Sequence, residues 1–283
     1  MSLFTIWYMK YFKSQWRLIT DAPGSGAWNM AVDEAILESV ALKENLPTLR
    51  LYAWDPFCLS LGYAQPISDV NLPSLNKSGW DLVRRPTGGR AILHAEELTY
   101  SVMAPQDEAR VTGSVLFSYQ QLSRALLYAL ESIGISADSK PIDNRHTGSN
   151  QNPVCFEVPS NYEITFEGKK IIGSAQARRL RGVLQHGAIP LKGDITRIIN
   201  VLKFSTEIMK VNAAKQLLQR AITVESILKR KVTWQEVAEY IVRGFQEELS
   251  IDFISFSISL NEKVRAKELE EIKFKNNQWT NRV

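Results

Sequence analysis

Two side chains of this sequence have types that suit covalent chemistry if the fold brings them together: Cys155 and Lys170. Cys155 follows a polar loop, residues 143–153 (Asp-Asn-Arg-His-Thr-Gly-Ser-Asn-Gln-Asn-Pro), and sits in Val154-Cys155-Phe156-Glu157-Val158-Pro159. Lys170 stands at the near end of the second strand of an expected hairpin. A lysine ammonium beside a thiol stabilises the thiolate, which is the nucleophilic form, and so lowers the cysteine pKa. The loop-then-hairpin order permits that contact without proving it. The second cysteine, Cys58, lies between Phe57 and Leu59 in an apolar run and reads as a small, inert core group.

A second group of candidates lies in residues 84–102. Gly88 and Gly89 lack Cβ atoms, so their backbone can approach a ligand, and Arg84, Arg85 and Arg90 place positive charge around them. A Gly-Gly pair between strands is by itself an ordinary turn. Three arginines around it, with His94 and Glu96-Glu97 following, mark it as the floor of a binding site. On the strand that begins near Lys170, the side chains of Lys170, Ile172, Ser174 and Gln176 share a face, and Gly173 leaves room for a group to reach the backbone.

Other chemistries are disfavoured. His94, His146 and His186 have no metal-type spacing, and neither a Gly-x-x-x-x-Gly-Lys-Ser/Thr loop nor a Gly-x-Ser-x-Gly elbow occurs. The net charge of +4 is too small to imply nucleic acid but fits an acidic protein partner. The basic clusters 178–181 and 229–231 lack interleaved aromatics; the first reads as a turn rim, the second as solvated surface. Two cysteines nearly a hundred residues apart exclude a disulfide framework and favour a reducing, cytoplasmic compartment. In residues 1–15 an apolar run precedes the lysines, the wrong order for a signal peptide, and no apolar stretch reaches the roughly 20 residues that span a bilayer. A soluble protein is expected.

The elements that must position these residues follow from periodicity. A strand starts at Trp16, and a helix over 27–42 puts Met30, Leu37, Val40 and Ala41 on one stripe, with Asp33, Glu34 and Glu38 off it. Strands are expected over 48–54, 57–62, 80–84, 91–93 and 98–104, and a long amphipathic helix over 114–133 that covers a sheet. Residues 161–166, 170–177 and 183–189 form an antiparallel meander. Beyond residue 189 the chain turns helical, with a capping box at Thr233-Trp234-Gln235-Glu236, a β-like run over 252–260 and a charged last helix. The expected division is an N-terminal extension (1–15), a catalytic domain (16–250) and a small appendage (251–283).

Residues 84–94 resemble the signature of the biotin/lipoate protein ligase superfamily. Residues 155–165, 168–178 and 182–187 are similar to its octanoyltransferase branch, LipM. The resemblance spans about 16–250. It implies an α+β fold, a mixed, largely antiparallel sheet flanked by helices, with a tunnel for a medium-length acyl chain. It also implies octanoyl transfer from acyl carrier protein to a lysine of the glycine cleavage H protein, in lipoate biosynthesis. Carried onto this chain, Cys155 is the acyl-thioester nucleophile and Lys170 the group that lowers its pKa. Arg84, Gly88, Gly89, Arg90 and His94 line the acyl and phosphopantetheine end, and Gly173 and Ser174 lie beside Lys170. Thioester exchange is near isoenergetic and thioester to amide runs downhill, so neither ATP nor another cofactor is expected, and a monomer suffices. The alternatives are an ATP-dependent lipoate protein ligase, an octanoyl amidotransferase between lipoyl domains, and a catalytically silent binding module. Ligases of the superfamily usually carry a third glycine where this chain has Arg90, whose side chain would crowd a nucleotide phosphate.

Overall fold

The computed structural model of the protein describes residues 11–140 and 163–283. In chain order these form β1 (Ser14–Thr20), α1 (Gly26–Ala41), β2 (Thr48–Tyr52), β3 (Cys58–Leu61), α2 (Leu72–Lys77), β4 (Asp81–Arg84), β5 (Ile92–His94), β6 (Glu97–Pro105), α3 (Val115–Ser132), β7 (Asp138–Lys140), β8 (Glu163–Phe166), β9 (Lys169–Arg179) and β10 (Gly182–Pro190). There follow α4 (Glu207–Arg220), α5 (Val224–Leu228), α6 (Trp234–Leu249), β11 (Ile251–Ser255), α7 (Leu260–Leu269) and α8 (Asn277–Thr280).

The large sheet runs β11-β1-β2-β6-β10-β9-β8-β7, and a small one β4-β3-β5. In the large sheet β1 is parallel to both of its neighbours, and every other pairing is antiparallel. The fold is therefore α+β with a mixed, largely antiparallel sheet, as the family resemblance implied. The central strand β6 is buried along its whole length because both of its faces are covered. Leu98, Tyr100, Val102 and Ala104 join one core with Leu122 and Leu126 of α3 and Ile241 and Phe245 of α6. Met103 points the other way, into a core with Met30, Ile36, Leu37 and Val40 of α1.

Covering on both faces also changes the reading of α1. The sequence left Asp33, Glu34 and Glu38 off the apolar stripe, yet Asp33 and Glu34 are fully buried. Asp33 accepts from Arg50 Nη1 (2.8 Å), the Tyr52 hydroxyl (3.0 Å) and Ser101 Oγ (2.9 Å). Lys273 (2.6 Å) and Arg179 (3.1 Å) pair with Glu34. A helix packed between the sheet and the C-terminal helices has no solvated face for these carboxylates, so each is matched by cations.

The C-terminal residues share this framework. Strand β11 pairs with β1, Glu262 of α7 forms a buried ion pair with Arg17 (2.6 Å), and Phe274 packs in the core under α1. Helix α7 has a full capping box, Ser259 with Glu262. The box expected at Thr233 is only half made: Thr233 accepts from the Glu236 N–H, but the Glu236 carboxylate turns to Arg230 (2.7 Å) instead. Two tight turns build the meander. Glu167 and Gly168 have φ of 49° and 77°, and Leu180 and Arg181 have φ of 54° and 62°, the left-handed conformations that a two-residue hairpin turn with the sheet's twist requires. Among the described residues no helix is long and apolar enough to cross a membrane.

Candidate active site

Between the two sheets lies a cavity of about 500 Å3, within the size of small-molecule sites, roughly 300–1,000 Å3. Its inner wall is buried: Met30, Tyr52 and Trp54 with Thr99, His94 and His186. Exposed Gly88 and Gly89 stand at its rim with half-buried Arg90, Tyr119 and Gln176. Lys170, Gly173 and Ser174 of β9 form one side.

The Gly-Gly loop is held from behind by Arg85. Its guanidinium donates to the carbonyls of Gly88 (2.8 Å), Arg90 (2.7 Å) and Ser60 (3.0 Å), so much of its donor capacity is spent on shaping the loop. Gly89 has φ 94°, a left-handed conformation open to glycine without strain. Its carbonyl lies where a Cβ on Gly62 would fall, so Gly62 is required for this close approach. The Thr87 hydroxyl meets His186 Nε2 at 2.6 Å, and His186 Nδ1 lies 3.7 Å from Asp33. Burial lowers the His186 pKa, against the pull of Asp33. Burial likewise opposes the charge on Asp33, but Arg50, helped by His186, outweighs it and holds this carboxyl below its ordinary value.

On the inner wall His94 is held by hydrogen bonds at both ring nitrogens and by a ring stack. Its Nδ1 is 2.7 Å from Glu97 Oε1, its Nε2 is 2.8 Å from Ser60 Oγ, and its ring stacks on Trp54 with centroids 4.0 Å apart and planes 10° apart. Glu97 Oε1 also accepts from the Thr99 hydroxyl (2.6 Å), which accepts from Trp54 Nε1 (2.8 Å). Hydrogen bonds and one ring stack thus close a circuit through Glu97, His94, Trp54 and Thr99.

On β9, Lys170 is buried and donates from Nζ to Glu163 Oε1 of β8 at 2.7 Å. A register shift at Ile164/Thr165 places one extra β9 residue opposite β8. Ser174 and Gln176 line the cavity with Lys170, whereas Ile172, expected on their face, lies in the α3/α6 core; the bulge breaks the simple alternation. Ser174 Oγ meets the Tyr100 hydroxyl at 2.7 Å. Gly187 sits opposite Ser174, and a Cβ there would run into the Tyr100 ring, Ser174 Oγ and the Gly173 carbonyl. The site can therefore hold a partly apolar ligand against an ammonium, two imidazoles and a glycine-lined backbone.

Comparison with known proteins agrees with this geometry. Residues 25–246 match the lipoyl protein ligase A/B catalytic domain. The chain belongs to that family. Octanoyltransferase LipM of Carboxydothermus hydrogenoformans is 38% identical over 93% of this chain and 97% of its own length. Its namesake from Bacillus subtilis is 33% identical over 94% and 98%. Among solved structures, lipoate-protein ligase A bound with ATP superposes with a TM-score of 0.76 at 28% identity, covering 94% of this chain and 98% of that one. The bi-partite lipoate protein ligase of Thermoplasma acidophilum gives 0.78 at 27%, covering 96% and 98%.

Within this lipoyl protein ligase A/B domain, the residues singled out from sequence divide three ways. Gly88, Gly89, Arg90, His94, Lys170, Gly173 and Ser174 all line the cavity. Arg84 does not: its side chain turns from the site to the carbonyls of Thr280 (2.7 Å), Gly62 (2.8 Å) and Gln65 (2.7 Å), tying the C-terminus to the β3–α2 connection. Arg84 ends β4 and Arg85 follows it, and their side chains leave in different directions, so of the two neighbouring arginines only Arg85 holds the Gly-Gly loop. Cys155, His146 and loop 143–153 lie outside the described residues. Cys58 is buried, and burial raises its pKa well above the ordinary thiol value, as suits a core group. Residues missed as site candidates are Glu163, Ser60, Trp54, Thr87 and the Asp33–Arg50 pair. Only Glu163 carried a hint, seven residues before Lys170 across a hairpin turn. The others come from separate elements.

Proposed function

We propose that this protein is an octanoyltransferase of lipoate assembly, taking an octanoyl group from acyl carrier protein onto Cys155 and passing it to a lysine of glycine cleavage H protein. The observation that carries this reading is the near full-length similarity to proteins called octanoyltransferase LipM, together with Lys170 on the wall of the cavity. The Cys155 thiolate attacks the thioester carbonyl, the carrier thiol leaves, and an acyl-enzyme remains. The Lys170 ammonium, oriented by Glu163, favours the thiolate and stabilises the oxyanion of each tetrahedral intermediate. Met30, Trp54 and Ile92 offer the alkyl chain an apolar wall. In the second half-reaction the acceptor amine attacks the same carbonyl and Cys155 departs.

The test is incubation with octanoyl-acyl carrier protein in the absence of ATP, followed by peptide mass spectrometry. A hydroxylamine-labile octanoyl adduct is expected on Cys155, and none in Cys155→Ala. Transfer to H protein that persists in that variant rules the covalent route out. The likeness to an ATP-bound lipoate-protein ligase supports a second reading, adenylation of a free acid. An absolute requirement for ATP in the same assay would select it.

A further inference from the structure

The acceptor lysine reaches the acyl-enzyme as an ammonium, since its ordinary pKa is about 10.4, and it cannot attack until a proton is removed. We propose that Ser60, His94 and Glu97 form the proton relay that removes it; this rests on the acyl transfer proposed above. Lys170 is poorly suited to the task, because its Nζ donates to Glu163 and an ammonium has no lone pair to accept with. His186 is turned to Thr87 through Nε2 and faces the buried Asp33 through Nδ1.

His94 has the required arrangement. Its Nδ1 lies 2.7 Å from the Glu97 carboxylate, which can only accept, so Nδ1 carries the proton and Nε2 is left with its lone pair. That lone pair faces the Ser60 hydroxyl at 2.8 Å, with Ser60 on the cavity wall. Ser60 Oγ also accepts from Arg85 Nη1 (3.2 Å). The stack on Trp54 and the Thr99 bridge to Glu97 hold the ring in this orientation. Among the described residues, the charged and titratable groups facing the relay are Glu97 and Arg85, with His186 on the same inner wall and Lys170 elsewhere on the cavity lining.

The protons balance as follows. The acceptor ammonium gives a proton to Ser60 Oγ while Ser60 gives its own to His94 Nε2, leaving a neutral amine and an imidazolium opposite the Glu97 carboxylate. The amine lone pair forms the C–N bond, the C–S bond breaks as the tetrahedral intermediate collapses, and the second excess proton leaves on the departing Cys155 sulfur. Water then takes the proton from His94. Ser60 and His94 are the catalytic pair, and Glu97 is a positioning residue.

The experiment is a single-turnover chase of octanoyl-loaded enzyme with either the acceptor domain or hydroxylamine, an amine already neutral at pH 7. From loaded enzyme, His94→Gln and Ser60→Ala are expected to transfer to lysine about 10²-fold more slowly than wild type, with Glu97→Gln slowed about 10-fold, while hydroxylamine cleavage of the same loaded variants stays within a factor of about 3. If both amines slow equally in the variants, the three residues only support the wall and the relay is wrong. An octanoyl adduct on Ser60 would also overturn it, since Ser60 would then be a nucleophile. Wild-type enzyme that never loads defeats the acyl-transfer reading itself, and the relay with it; normal loading with an unchanged lysine rate in the variants defeats the relay alone.

Discussion

Lys170 is the residue on which the proposed chemistry turns, and its buried pairing with Glu163 sets what it can do. Lys170→Met should move the pH dependence of Cys155 alkylation upward and slow octanoylation at neutral pH, by about 10²-fold. Stopped-flow alkylation across pH checks this, and an unshifted profile would remove Lys170 from the thiolate's environment. A second residue-scale expectation concerns acid. Asp33 is held below the ordinary carboxylate value, so its contribution to stability is present above that value and is lost as pH falls through the depressed one. His186 is held below its ordinary value of 6.5, so below about pH 6.5 the unfolded chain takes a proton that the folded chain resists. Both shifts make the fold weaker on acidification. His186→Gln should flatten the fall in Tm between pH 6.5 and 5 while leaving the steeper loss below pH 4.

At the scale of elements, the loop that makes the site is shaped by contacts its own sequence does not contain. Gly62 lies more than twenty residues before Gly89, yet a methyl group there collides with the Gly89 carbonyl. Gly62→Ala should cost about 1–3 kcal/mol and raise KM more than it lowers kcat, because the loop moves while Lys170 stays in place. Chemical denaturation and steady-state kinetics test the two halves. The β9–β10 turn makes a different case. Leu180 and Arg181 both adopt left-handed backbone conformations that cost L-residues with Cβ atoms about 1–2 kcal/mol each. Replacing the pair by Asn-Gly should stabilise the protein by about 1 kcal/mol with activity unchanged, read as a shift in the urea midpoint. The meander itself was legible from alternation and turn residues. The bulge opposite Ile164 was not, since nothing local in the sequence signals an extra residue between paired strands.

For the whole molecule, the even +4 balance conceals an uneven distribution. Residues 192–231 hold nine Lys or Arg against three Asp or Glu, a net of +6, and the rest of the chain is net negative. This basic stretch includes α4, which shows exposed Ile208, Val211 and Leu218 beside Lys215, and it joins the site where Ala221 bridges Lys170. Octanoyl transfer from an acidic carrier protein should therefore lose kcat/KM as salt rises over a Debye length of about 10 Å at 0.1 M. Transfer from octanoyl-pantetheine should not. Equal salt dependence of the two donors would show that the stretch takes no part in the encounter.

Local sequence determined what local physics controls: strands from alternation, helices from apolar stripes and caps, and turns from glycine positions. The motifs around Gly88, Cys155 and Lys170 were enough to imply the family and the sheet. Tertiary structure decided which charges are inside and which of two adjacent arginines meets the site. Asp33 and Glu34 looked like the polar flank of α1 until the sheet covered Asp33 and Lys273 and Arg179 closed on Glu34, and Arg84 looked equivalent to Arg85 until the end of β4 sent their side chains apart. In the Ser60–His94–Glu97 arrangement His94 and Glu97 are near neighbours in sequence, but Ser60 comes from β3, 34 residues away, and meets His94 only once β3 and β5 are paired in register.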